Sequence, residues 1–205
     1  MNADPTLDVL HFWFAESDPA APVAPRMDLW FGGSPELDAT IRQRFGGAHA
    51  AAARGELDAM CETPAGRLAW VILLDQFSRQ IHRGSGKAFA SDRQALATAL
   101  DGLERGWDRH YGYFQRAFFY LPLEHSEDLA IQRRSVELFT RLRDETPPEL
   151  AQIGQTMLDF AQQHLALIER FGRFPHRNEE LSRTTTVEEF AWMLSPGGGY
   201  GKAKP

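Results

Sequence analysis

Apolar residues recur every three or four positions along most of the chain, the spacing that gathers them on one side of a helix. Thr6 to Glu16 reads as a short apolar helix, and Ser17 to Pro25, with three prolines, as a loop. Ser34-Pro35-Glu36 offers an N-cap hydroxyl and a proline at the first helical position, with Gly55 as the stop. Thr63-Pro64 repeats the device and predicts a helix to about Arg83, where Gly84 suits a left-handed C-terminal position. Ser91-Asp92 predicts a helix ending near Gly106, and Tyr111 to Leu121 a helix that stops at Pro122. Ser126-Glu127-Asp128 predicts a start, with Ser126 as N-cap, for a helix to about Asp144. Thr146-Pro147-Pro148-Glu149 reads as a capping box opening a long helix to Phe171, stopped by Gly172. Val187 to Leu194 closes the series. No stretch alternates apolar and polar residues for long enough to make a strand. The pattern predicts an all-α fold of antiparallel helical hairpins, as one domain over residues 1–195, followed by a Gly-rich tail, 196–205, expected to be disordered.

Length and composition narrow the function classes. The 205 residues suffice for a full core without metal or disulfide staples. Cys61 is the only cysteine, which suits a reducing, cytoplasmic setting. The N-terminal MNADPTLDVL lacks the positive region of a secretory signal, and Leu68 to Leu74 falls far short of the ~18 apolar residues that span a bilayer. A net charge of −6 disfavours nucleic acid as a partner, because lysine and arginine supply most of that affinity. Gly84-Ser85-Gly86-Lys87 resembles a phosphate loop, but Ala88 replaces the required hydroxyl and Ile81 the first glycine. Neither H-E-x-x-H nor G-x-S-x-G occurs, so no metal or cofactor is expected from local spacing.

Polar residues inside apolar helices carry the remaining information. Asp75 interrupts Trp70 to Phe77, and Arg79 and His82 follow four and seven residues later on the same face. Such a stripe is either an ion pair tying helices together or a ligand-facing set. The long helix places His164 in a core stripe with Ile153, Met157, Phe160, Ile168 and Phe171. Arg116 and Tyr120 lie one turn apart, with His125, Glu127 and Asp128 just beyond the proline; the two acids read as ordinary helix-start residues. Around the turn at Gly172, Arg170, Arg173, His176, Arg177 and Asn178 alternate with Phe171, Phe174 and Pro175, a rigid presentation of guanidinium groups. An apolar helix tolerates Asp75 only if another element satisfies it, so Asp75, Arg79 and a residue of 116–128 are expected to converge.

Three segments, Leu74-Asp75-Gln76-Phe77-Ser78-Arg79, Phe118-Phe119-Tyr120-Leu121-Pro122-Leu123-Glu124-His125-Ser126-Glu127-Asp128 and Arg170-Phe171-Gly172-Arg173-Phe174-Pro175-His176-Arg177-Asn178, resemble the bacterial domain-of-unknown-function 924 family. The resemblance runs from Val9 to Phe190. It implies a tetratricopeptide-like stack of helical hairpins and brings no established substrate. The chain differs where the family commonly has Pro and Asn, at Ser78 and Gln80, and where it has Gly, at Ser182. Two function classes follow. One is a module binding an anionic small molecule or peptide carboxylate through Arg79, Arg116, Arg173 and Arg177. The other is a small hydrolase-type enzyme, metal-assisted or not, using His125 or His164 with Asp75 or Asp128.

Overall fold

The computed structural model describes residues 4–195, so the tail from Pro196 lies outside the described residues. Among those described, every regular element is helical. The order is α1 (Thr6–Phe14), α2 (Met27–Phe31), α3 (Pro35–Ala53), α4 (Pro64–Val71), a π-helical segment (Ile72–Phe77), α5 (Ser78–Ile81), α6 (Asp92–Glu104), α7 (Tyr113–Glu124), α8 (Leu129–Asp144), α9 (Ala151–Phe171) and α10 (Val187–Leu194). Short 3-10 turns fill several of the connections.

Local capping signals act where the chemistry demands them. Ser34 accepts from the Leu37 N–H, Thr63 accepts from that of Gly66, and Thr186 with Glu189 forms a reciprocal capping box. Three boundaries differ from expectation. The α7 helix runs through Pro122 to Glu124, because a proline so near the end costs the helix a single interior bond. The N-cap of α8 is Asp128, which accepts from Ala130 and Ile131, instead of Ser126. Buried Gln132 supplies the other half of this corner by donating to the carbonyls of Glu124 and Ser126, both at 2.6 Å. Before α9 there is no capping box. Thr146 Oγ1 is turned inward to the Tyr113 hydroxyl at 3.0 Å, and a 3-10 turn, Pro148–Leu150, precedes the helix. Ser182 holds φ +53°, which accounts for glycine being the common family residue there.

The α4–α5 rod is the centre of the molecule. Residues 66–78 are all buried, so this helix has no solvent face. Its Phe77 meets Trp13 of α1 edge-on at 5.4 Å and Phe45 of α3 at 4.7 Å between ring centres. Trp13 in turn meets Phe118 of α7, which packs on Trp30 of α2 at 5.0 Å. The Trp30 indole N–H donates to the Trp13 carbonyl, so even the short α2 is pinned to this aromatic hub.

Close packing at the start of α4 makes a test of the architecture. A Cβ on Gly66 would lie 2.1 Å from the Met60 carbonyl oxygen, whereas one on Gly46 or Gly47 meets nothing within 4 Å. Gly66→Ala is expected to destabilise by at least about 1–3 kcal/mol through overpacking. Gly47→Ala, on the exposed side of α3, is expected to stabilise by about 0.5–1 kcal/mol. Urea melts of the two variants check both signs.

Candidate functional site

Asp75, in the π segment, has no exposed surface. Its Oδ1 lies 2.7 Å from His125 Nδ1 and 3.2 Å from an Nη of Arg79, and its Oδ2 accepts from the Gln76 amide. The same Arg79 donates to the Asp75 carbonyl at 2.6 Å and forks onto the Asp92 carboxylate with two bonds of 3.1 Å. Arg177, also buried, donates to Asp92 at 3.3 Å and to the His125 carbonyl at 3.2 Å. The Arg177 guanidinium sits between Phe89 and Phe174, 4.7 and 4.5 Å from the ring centres. Asp75, Arg79 and His125 therefore converge as the sequence requires, and Asp92 and Arg177 extend the chain of alternating charges.

Burial opposes the Asp75 charge, but Arg79 and His125 outweigh it and hold the carboxyl well below the usual carboxylate range. Burial, reinforced by Arg79, pushes His125 down to about 4 against the pull of Asp75. Neutral His125 thus donates its Nδ1–H to Asp75 as a hydrogen bond and leaves Nε2 as an acceptor. On the other side of His125, burial and then the Asp75 charge push Glu124 up to about 8. Glu124 Oε1 is 3.3 Å from Nδ1 of His164, whose imidazole burial lowers to about 4. At neutral pH this second pair is a carboxylic acid beside a neutral imidazole.

Part of this network forms the polar end of a cavity of about 340 Å3. Arg79, His125 and His164 line it together with Glu124, Gln76 and Gln80, and Trp30, Phe31, Phe118, Leu121, Phe139, Met157 and Phe160 make its apolar walls. Met157, Phe160 and His164 carry the expected spacing, but the residues of α9 that enter the core are Gly154, Leu158, Ala161, Leu167 and Ile168. Three of the six residues of the anticipated stripe, Met157, Phe160 and His164, line the cavity instead, while Ile168 is in the core as expected.

The other candidate residues lie elsewhere. Arg116 and Tyr120 face a second cavity on another face of α7. Arg173 forks onto Glu189 of α10 at 2.6 and 2.9 Å, and Asn178 donates to the same carboxylate. His176 is stacked at a tilt on Phe174, and burial and Arg177 lower it to about 3. Glu127 lies outside the first turn of α8 and holds Arg183 at 2.8 Å and the Phe174 N–H at 2.8 Å, while Asp128 is occupied as the cap. His82 leaves the stripe because α5 ends at Ile81, and its ring faces His49 at 5.3 Å. Glu124, Gln76 and Gln80 join the lining without a signal in the sequence that marks them as site residues. Glu124 stands next to His125 in the sequence, but a helix ending at Pro122 would not have carried it to the cavity. Among the described residues no three His, Cys, Asp or Glu side chains gather as a metal site, and no helix is long and apolar enough to cross a membrane.

Removing Asp75 takes from Arg79 one of its two acids and leaves the His125 Nδ1–H without its acceptor, so Asp75→Ala is expected to cost roughly 3–5 kcal/mol in a urea melt; a loss below about 1 kcal/mol would mean the pair behaves as a surface bridge. The titrating groups set a pH profile. His125, His164 and His176 take up protons near 6.5 when unfolded but only at about 3–4 when folded, so stability falls as pH drops below 6.5. Glu124 keeps its proton up to about 8 in the fold but loses it near 4.5 when unfolded, so its contribution falls as pH rises between those values. These three histidines, joined by His49, which burial also lowers to about 4, outweigh one carboxyl below 6.5, and Glu124 acts against them alone above it. The melting temperature is therefore expected to peak near pH 6.5, and Glu124→Gln to flatten the decline toward pH 8 while leaving the acid limb, as followed by circular dichroism from pH 4 to 8.5.

Comparison with other proteins adds a family to this geometry. A family model described as "Bacterial protein of unknown function (DUF924)" matches residues 9–197. A solved structure of a protein of unknown function from Agrobacterium tumefaciens superposes with a TM-score of 0.78 at 36% identity, covering 95% of this chain and 99% of that one. No curated protein matches. The match spans every element that builds the buried Asp75 network and the cavity beside it, and the chain belongs to the bacterial DUF924 family.

Proposed function

We propose that the protein is a cytoplasmic small-molecule-binding module, built on a tetratricopeptide-like stack, whose cavity takes a compact ligand with an apolar body and a hydrogen-bonding head. The observation that carries the reading is the cavity's division into an aromatic and aliphatic wall and a polar end where Glu124 offers a proton and His125 Nε2 accepts one. Its volume falls in the range of small-molecule sites. Such an end complements an alcohol or amide, which carries donor and acceptor together. An anionic head is disfavoured at this cavity, since Arg79 is committed to Asp75 and Asp92, and Arg83 forks onto Asp38.

A second reading, general acid–base catalysis, is favoured by one specific feature, the orientation of His125 by Asp75. A buried carboxylate that fixes the Nδ1–H tautomer of an imidazole lining a cavity, with Nε2 left as the acceptor, suits a general base, and protonated Glu124 in the same lining can act as the acid.

Titration with benzyl alcohol, benzamide and benzoate, read by protein NMR and thermal shift, tests the binding reading. The neutral compounds are expected to bind more tightly than benzoate, and Leu121→Trp, which fills the cavity, to abolish the response. Absence of binding by all three at millimolar concentration, or binding that survives Leu121→Trp, refutes it. For the catalytic reading, turnover found in a panel of small esters and amides is expected to fall by about 100-fold or more in His125→Gln. Unchanged turnover in that variant removes His125 from the chemistry.

A further inference from the structure

A second cavity, of about 400 Å3, opens where α6, the 3-10 turn Trp107–His110, α7 and α8 meet. Four arginines line it, Arg109, Arg116, Arg134 and Arg141, and no lysine, in a chain whose net charge is −6. Three carboxylates share the lining, and two of them are engaged: Asp108 accepts from the buried Tyr120 hydroxyl at 2.8 Å, and Glu145 pairs with Arg116 at 2.7 Å. The third, Glu137, is exposed. Among the described residues, Arg109, Arg134 and Arg141 have no carboxylate within ion-pairing distance, and the buried Nε–H of Arg116 has no acceptor. This differs from Arg79, Arg83 and Arg173, each of which is forked onto an acid.

Unpaired arginines that repel one another across a concavity lack the counter-charge that would make their clustering favourable. Guanidinium forks match phosphate and carboxylate geometry, which a lysine ammonium does not. Arg134 and Arg141 are seven residues apart, so they stand on one face of α8 at a separation of about 10 Å along the axis. That span suits two anionic groups on one small molecule better than a single ion.

We infer that this cavity is a binding site for a compact polyanion, a small molecule bearing two or more phosphate or carboxylate groups, held by Arg109, Arg134 and Arg141 with Arg116 at its inner wall. The site is separate from the cavity beside Asp75, since the two share no lining residue.

The test is calorimetric titration of the full chain with pyrophosphate and with citrate at 0.1 M salt. Saturable one-to-one binding of either supports the inference, and the tighter of the two identifies the ligand's groups as phosphate or carboxylate. Arg134→Gln and Arg141→Gln are each expected to weaken it about tenfold or more, the value of one charge-assisted contact. Arg134→Lys is expected to recover only part of the loss. Arg133→Gln, an exposed neighbour whose partner is Glu169, is expected to bind as the wild type does. No saturable binding by either compound, or an equal loss in Arg133→Gln, overturns the site.

Discussion

A carboxylate without exposed surface, set in a helix that solvent does not reach, must be compensated from outside that helix. Asp75 imposes this condition, and much of the molecule's arrangement follows from meeting it. His125 is brought from the end of α7, Asp92 from the start of α6 through Arg79, and Arg177 from the turn after α9. Three elements far apart in sequence are thus tied to one buried oxygen pair. Separating any of them removes a hydrogen bond or ion pair from a buried charge, which makes the network cooperative and gives the cavity beside it a rigid polar end.

The C-terminal turn illustrates how one motif serves both structure and site. Arg173, Asn178 and the Thr186 N–H converge on Glu189, while Arg183 and the Phe174 N–H converge on Glu127. These contacts dock α10 and the preceding loop on the start of α8. Arg177, in the same turn, points the other way and closes the charge chain at His125. A sequence of alternating arginines and aromatics reads as a receptor when viewed alone, but its arginines meet acids of α10 and α6, and its Phe174 N–H meets Glu127 just before α8, as a clasp would.

What was legible in the sequence was mostly local. Ser34 with Pro35, Thr63 with Pro64 and Thr186 with Glu189 signal helix starts within a few residues, and each does so in the fold. Asp75 was legible as an anomaly, a charge in an apolar run, and its need for a partner in 116–128 followed from solvation alone. The identity of the cavity wall was not. Met157, Phe160 and His164 have the period of a core face, and only the position of α7 and α8 decides that this face borders a void. Gln132 and Glu127 look like surface residues of α8 or its start, since nothing nearby in sequence reveals the carbonyls or the arginine they serve.

The π segment has a consequence for length as distinct from chemistry. Its wider turn accommodates one residue more than an α-helix would, so everything after Phe77 is out of phase with everything before Ile72 by one step, about 100° of rotation. Arg79, two residues past the segment, meets Asp92 with that offset in place. Taking one residue out of 72–77 would restore ideal helix geometry locally and swing Arg79 away from Asp92. The tolerance of this rod to insertion and deletion is therefore set by phase, and its spacing carries information that no side chain in it expresses.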